Sequence, residues 1–329
     1  MGRHETYGKY HSLKDLTKVK DSLDRLSYIP LNNALLYRVS GTHACRYLHG
    51  RLTQNISQMS IGEGRTCALT DAAGKVQSVF RILRESEHSF LILCDGGESD
   101  LFTSSLLQFR VAEDVTIREL SDYQLVHIAP DPLAPKIRNL SQPQSQADIP
   151  WHMDEELIAM RFQRLQAPGI DVAGPTIQMD AYISQLKEAE ASCLTEEQYT
   201  LARVLANRPT FPFDIQLGSL LSEVDLDSYA SFSKGCYVGQ EVLEKISARG
   251  KAPQKLFPVI LSERAELHGN DTVGLVHPED GESALLGKLI SSGYDPETGK
   301  TYGFARLKNR ESLPGKEILV NGVLGSILS

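Results

Sequence analysis

Ala34-Leu35-Leu36-Tyr37-Arg38-Val39-Ser40-Gly41 is a short apolar run closed by a glycine, and its reading as a strand decides the fold of the chain around it. Thr42 is placed to cap the next element by accepting a backbone N–H. Ala44, Leu48 and Leu52, with Tyr47 beside them, then recur at the spacing of one helix face. Arg65 to Thr70 and Val76 to Leu83 read as two strands joined at Asp71-Ala72-Ala73-Gly74-Lys75, whose Asp and Gly suit a turn. Ser89 to Cys94 is a third strand, broken by Asp95-Gly96-Gly97. A helix carrying Leu101, Phe102, Leu106 and Phe109 on one side comes next, and Val115-Thr116-Ile117 closes the unit as a strand. Strand, helix, strands, helix, strand is the signature of a split βαβ, ferredoxin-like unit.

Between residues 130 and 150 the composition shifts to Pro, Gln and Ser, which predicts a loop or linker. Thr195-Glu196-Glu197-Gln198 is a capping box that opens a helix through Tyr199, Ala202, Arg203 and Leu205, ended by Pro209 and Pro212. From about Lys251 the texture changes. Short apolar runs at Leu256–Leu261, Thr272–Val276, Leu285–Ile290, Tyr302–Leu307 and Glu317–Val320 alternate with Gly, Asn, Asp and Pro turns, which predicts a small all-β barrel or sandwich.

The 329-residue chain carries a net charge of −8, and 41% of its residues are apolar. An acidic chain has no general pull toward nucleic acid, because such affinity is mostly phosphate neutralisation, so no direct nucleic-acid partner is expected. No apolar run approaches the ~20 residues of a membrane helix, and the polar stretch Met1 to Tyr10 resembles no targeting segment. Cys45, Cys67, Cys94, Cys193 and Cys236 are scattered, odd in number and free of any CxxC pairing. That pattern argues against a disulfide framework and against a metal site, and it points to a reducing, cytoplasmic compartment.

Lys234-Gly235-Cys236-Tyr237-Val238-Gly239-Gln240-Glu241 is the stretch richest in chemistry. Gly235 and Gly239 let the backbone turn sharply and approach a ligand. Beyond Gly239, residues 241–246 read as a helix with Glu241 in its first turn, where the dipole favours an acid. Cys236 would then lie just before a helix N-terminus and two residues from Lys234, both of which favour a thiolate. It is the candidate functional thiol, and the most reactive of the five cysteines by this reading.

The same octapeptide, residues 234–241, resembles the signature of the folate-binding YgfZ family, cytosolic relatives of the glycine-cleavage aminomethyltransferase. The resemblance extends over most of the chain, through Val39-Ser40-Gly41 to Leu48, Leu52-Thr53-Gln54-Asn55, and Leu107-Gln108-Phe109-Arg110 to Val115. It departs at Ala206-Asn207-Arg208-Pro209, at Leu221 before Glu223, and between about 130 and 200. What it implies is an α+β, aminomethyltransferase-like folate-binding fold built from ferredoxin-like split βαβ units, followed by a small C-terminal β-barrel. Residues 1–128 would form the first part of the folate-binding region, 129–250 the second part with the octapeptide, and 251–329 the barrel. The resemblance implies tetrahydrofolate or a derivative as ligand, with iron–sulfur enzymes or assembly proteins as partners and an indirect effect on tRNA modification. By the same resemblance, Lys234, Gly235, Tyr237, Gly239, Gln240, Glu241, Arg203 and Glu223 lie at the folate cavity.

The alternative is a folate-dependent one-carbon transferase of the glycine-cleavage type. That enzyme carries an acidic pair where this chain has Gln77 and Ser78, and neither titrates near neutral pH. The expectation is an accessory protein and not an aminomethyltransferase.

Overall fold

The structure is a computed structural model, and it describes residues 25–130, 148–249, 252–265, 271–276 and 283–328. The chain runs through β1 (Ser27–Pro30), β2 (Leu35–Ser40), α1 (Ala44–Arg51), β3 (Glu63–Thr70), β4 (Val76–Arg84) and β5 (Ser89–Cys94). Then come α2 (Ser99–Leu107), β6 (Thr116–Glu119), β7 (Tyr123–Ala129), β8 (Asp148–Asp154), β9 (Leu157–Arg161) and β10 (Ile170–Pro175). After α3 (Thr176–Glu188), β11 (Ser192–Cys193), α4 (Glu196–Leu205) and α5 (Gln240–Arg249), the C-terminal strands are β12 (Gln254–Leu261), β13 (Thr272–Val276), β14 (Ser283–Asp295), β15 (Lys300–Lys308), β16 (Glu317–Val320) and β17 (Val323–Ile327).

β2 forms as the sequence predicts and lies between β5 and β6, antiparallel to both. β5, α2 and β6 therefore make a split βαβ unit with β2 inserted. Gly41 permits the exit from β2: at φ +135° its Cα faces the backbone of Asp114, where a Cβ would come within 2.1 Å of the carbonyl oxygen. Thr42 does not cap α1. Its N–H and hydroxyl both donate to the Asp114 carboxylate, at 2.9 and 2.8 Å, and the residue before the helix is His43. The charge-assisted bonds to Asp114 fix the hydroxyl facing that carboxylate, one residue ahead of the cap position at His43. α2 buries Phe102 and Leu106, whereas Leu101 is partly exposed. Phe109 falls beyond the helix end and lies half-exposed under the Arg51 guanidinium, 4.8 Å from its ring centre.

One eleven-stranded sheet runs in the order β11-β1-β7-β10-β9-β8-β3-β4-β5-β2-β6. The two parts separated in sequence at residue 129 interleave in it. β1 and β7, from the first part, pair within the half built by β8 to β11, and β8 joins the halves at Glu63↔Pro150. Most of the Pro- and Gln-rich stretch expected as a loop lies outside the described residues, and β8 begins at Asp148. The capping box at Thr195 forms in both directions, Gln198 N–H to the hydroxyl at 3.2 Å and Thr195 N–H to the Gln198 side chain at 2.9 Å.

The C-terminal strands close into a barrel in the order β12-β15-β14-β13-β16-β17, around Val259, Val273, Leu289, Ala305 and Ile318. α4 lies against β14 so closely that a Cβ on Gly293 would meet Leu201 N at 2.9 Å. An apolar layer of Val79, Val204, Phe211, Tyr237, Tyr302 and Phe304 welds barrel to sheet. Among the described residues no helix is long and apolar enough to cross a membrane.

Candidate functional site

The octapeptide is fixed from two sides. On one side the Lys234 ammonium, buried beneath the end of α1, donates to the carbonyls of His49, Leu52 (2.6 Å) and Gln54 (2.9 Å). These contacts use all three of its N–H bonds. A cation at a helix C-terminus also meets the negative end of the helix dipole. Burial pulls its pKa down to about 8, while Cys67 acts in the opposite direction. The Tyr237 ring packs 4.8 Å from the same ammonium, and Ser231 N–H donates to Thr53 O at 2.9 Å.

On the other side the loop rests on the β3–β4 turn. Gly239 has φ +88°, and a Cβ there would lie 2.4 Å from Asp71 O and 2.9 Å from Gly74 Cα, so two glycine backbones touch where no side chain fits. Thr70 Oγ1 donates to Val238 O at 2.7 Å. Gln240 opens α5, accepting from Tyr237 N–H at 3.3 Å and donating to Glu244 at 2.6 Å, while Glu241 pairs with Lys245 on the surface. Gly235 has open space about it, with His49 Nε2 3.8 Å from where a Cβ would stand. Between these clamps Cys236 is exposed. The result is a solvent-facing thiol on a rigid mount. Cys193 is exposed as well, so exposure alone does not single out Cys236. Cys67 and Cys94 are buried, and burial pushes both thiols up, Cys94 to about 12.

A cavity of about 750 Å³ opens between the sheet, α4 and the loop that follows α4. Its floor is ionic. Arg164 donates to Asp95 at 2.7 and 2.6 Å and to Asp171 at 2.9 and 2.7 Å, Arg81 pairs with Asp95, and His127 Nδ1 lies 2.9 Å from Asp171. Both guanidiniums stack 4.8 Å from the Phe162 ring. Burial works to raise the Asp95 carboxyl, but Arg164 and Arg81 outweigh it and hold it well below the usual range. The same opposition leaves Asp171 at about 2. Burial lowers His127, against the pull of Asp171. Val79, Phe80, Phe211, Ile215 and Tyr229 add apolar wall.

Of the residues assigned to the folate cavity from sequence, Arg203 lines it, with its guanidinium on Asp214 and over the Tyr199 ring at 5.1 Å. Glu223 does not. It is buried beside the cavity, where its carboxylate accepts Leu220 N–H at 3.0 Å, and Val224 takes the wall position. Lys234 to Glu241 are likewise absent from the lining, and Lys234 has no N–H left for a ligand. Gln77 and Ser78 line a separate cavity of about 530 Å³ with Cys94, Phe102 and Pro212. The residues that sequence reasoning missed are Arg81, Asp95, His127, Arg164 and Asp171. The signal was there: Arg81, His127 and Asp171 are lone polar residues inside apolar strand runs, a pattern that marks buried, partnered groups.

No family model matches the chain. An iron–sulfur cluster assembly factor IBA57 homolog of Neurospora crassa is 25% identical over 250 residues, covering 72% of this chain. The chain spans about half of that relative's length, 54%. The tRNA-modifying protein YgfZ of Yersinia enterocolitica is 24% identical over 234 residues, 70% of each chain. Among solved structures, the glycine cleavage system aminomethyltransferase T of Bartonella henselae superposes with a TM-score of 0.80 at 14% identity, over 95% of this chain and 88% of that one. By its sequence relatives the chain is similar to YgfZ and IBA57 proteins, and its fold is that of the glycine-cleavage aminomethyltransferase.

Proposed function

We propose that this protein binds tetrahydrofolate or a derivative in the cavity over Arg81 and Arg164, and serves in the cytoplasm as an accessory factor for the assembly or repair of iron–sulfur enzymes. Any effect on tRNA modification would be indirect. The observation that carries the folate reading is the cavity itself. Its volume of about 750 Å³ is that of a cofactor site, its walls are aromatic and aliphatic, and buried polar atoms of Arg81, Tyr199 and Arg203 have no hydrogen-bond partner among the described residues. Phe162, Phe211 and Ile215 would flank the pterin, and the exposed Arg208 would meet the glutamate carboxylates. Bound folate would supply a carrier for one-carbon units. The accessory role rests on the names of the relatives and on the exposed thiol of Cys236.

One-carbon transfer of the glycine-cleavage type is the weaker reading. Such chemistry needs a carboxylate poised to move a proton. Gln77 and Ser78 lie off the cavity, and Asp95, which lines it, is held ionised by two arginines with both oxygens occupied.

Tetrahydrofolate at one hundred times its Kd is expected to stabilise the protein by about 2.7 kcal/mol, read as a rise in Tm. No rise at millimolar ligand would remove the folate reading. Cys236→Ser is expected to leave the fold and folate binding intact but to abolish support of iron–sulfur enzymes in a strain lacking its own copy. Full complementation by the serine variant would reduce the thiol to a surface residue.

A further inference from the structure

The second cavity, of about 530 Å³, lies beside the N-terminus of α2 and has no part in the folate reading. Leu35, Phe102 and Phe211 give it an apolar interior. Three more of its large apolar side chains are left in solvent: Phe213 and Leu217 are each 51% exposed, and Leu101 is 36% exposed. Single exposed apolar residues are ordinary on a protein surface. Three gathered around one apolar cavity mark an interaction site.

Their exposure is not the slack of a loose loop, because the segment that carries Phe213 and Leu217 is pinned at both ends. At one end Asp214 is fully buried, where its carboxylate accepts from Arg203, from Thr210 N–H at 2.8 Å and from the Ser291 hydroxyl. Its own N–H donates to Thr210 O at 2.8 Å. At the other end Gly218 N–H donates to Val76 O at 2.9 Å, and Val76 N–H donates to Ser219 O at 2.8 Å. Gly96 lets the segment lie against the β5–α2 turn, since a Cβ there would stand 2.9 Å from Pro212 Cδ. Apolar side chains held in place in this way lose little further freedom when a partner covers them.

The polar part of the lining says what the partner is. Asn32, Asn33 and Gln77 bring side-chain amides with no hydrogen-bond partner among the described residues. An amide both donates and accepts, as a peptide backbone does. Glu98 is the one charged residue of the lining; it is exposed, does not cap α2 and pairs with no cation among the described residues. Asp100 follows it in the first turn of the helix. Carboxylates without a cation beside them attract a basic partner and repel phosphates.

We propose that this cavity is the docking site for an extended peptide segment of a partner protein. The segment seats a phenylalanine-sized apolar side chain among Leu101, Phe213 and Leu217, and sets a neighbouring Lys or Arg against Glu98. The free amides meet its main chain. The proposal is independent of the folate reading, although Phe211 lines both cavities, so a docked partner stands one ring away from that site.

The test is an NMR titration of the isotope-labelled full chain, without folate, with the amidated tripeptides acetyl-Lys-Phe-Lys and acetyl-Glu-Phe-Glu. The basic peptide is expected to shift the amides of Gly97, Glu98, Leu101 and Leu217. It should bind about 3- to 10-fold more tightly than the acidic one, the range set by one or two exposed ion pairs. Benzyl alcohol tests for a cavity that takes any small apolar molecule. Shifts with benzyl alcohol alone, equal binding of the two peptides, or no shift at these residues with millimolar peptide would each overturn the proposal. Two variants at exposed positions leave the fold in place. Leu217→Ser is expected to weaken the basic peptide about tenfold, and Glu98→Gln to bring the two peptides within about twofold of each other. Unchanged affinity in the first, or unchanged preference in the second, overturns the assignment of these residues and the proposal with it.

Discussion

Arg164→Met is expected to cost about 3–5 kcal/mol of folding free energy and to lower Tm by roughly 10 °C, because it strips two buried carboxylates of their shared cation. Arg164 is 2% exposed, Asp171 is fully buried, and Asp95 is only slightly exposed. Arg81 would remain to face both, with its Nη2 3.6 Å from Asp171. Removing the charge of Asp171 as well should relieve the imbalance. Arg164→Met combined with Asp171→Asn leaves one cation, Arg81, opposite one anion, Asp95. The double variant should be more stable than the sum of the single losses by about 1–3 kcal/mol. Denaturant unfolding of the three variants measures it, and strictly additive losses would show that the four charges do not act as a unit.

The same groups set the acid limb of stability. The folded-state values of Asp95 and Asp171 lie below the unfolded value near 4. Their contribution is therefore complete above about pH 4 and is lost as pH falls, through about 2 for Asp171. His127 is also depressed in the folded state, from about 6.5 in the unfolded chain. Below that pH the unfolded chain takes up a proton that the folded protein does not, so stability begins to fall there as well.

Local signals decide the elements, and non-local pairing makes the cavity. The β2 run, the turn at Asp71 to Lys75 and the capping box at Thr195 are each decided within a few residues, and each forms where its residues indicate. The octapeptide stands out in the sequence because its glycines, lysine and cysteine cluster within eight positions, although the contacts that fix it are not local. The ionic floor had no such advantage. Asp95 meets Arg164 across 69 residues, and Asp171 meets His127 across 44. Those pairings depend on β7 lying beside β10 and on the two half-sheets facing one cavity, which no spacing encodes. The partners of Lys234 show the same limit. Its neighbours in sequence, Cys236 and two glycines, suggest a ligand site, while its actual partners are carbonyls about 180 residues earlier.

Those partners make Lys234→Met the second large expected effect. Methionine matches the length of the lysine stem, so packing changes little while the three carbonyls of His49, Leu52 and Gln54 lose their donor. At about 1 kcal/mol or more for each buried acceptor left unpaired, and with the loss of the cation over Tyr237, the cost should reach about 3–4 kcal/mol. Lys245→Met is the control. Lys245 is largely exposed and pairs with Glu241 one helical turn earlier, so its removal should cost less than about 0.5 kcal/mol. Because the octapeptide is anchored through Lys234 to the end of α1 and the residues just after it, where the preceding Ser231 also bonds Thr53, but to β3 and the β3–β4 turn through Thr70 and Gly239, the lysine variant should loosen one end only. Hydrogen exchange of Ser231 N–H, bonded to Thr53 O, should accelerate more than that of Leu243 N–H, bonded to Gly239 O. If Lys234→Met were no more destabilising than Lys245→Met, the lysine would not be the tether that its three contacts indicate. The thiol of Cys236 would then owe its position to the glycine clamp alone.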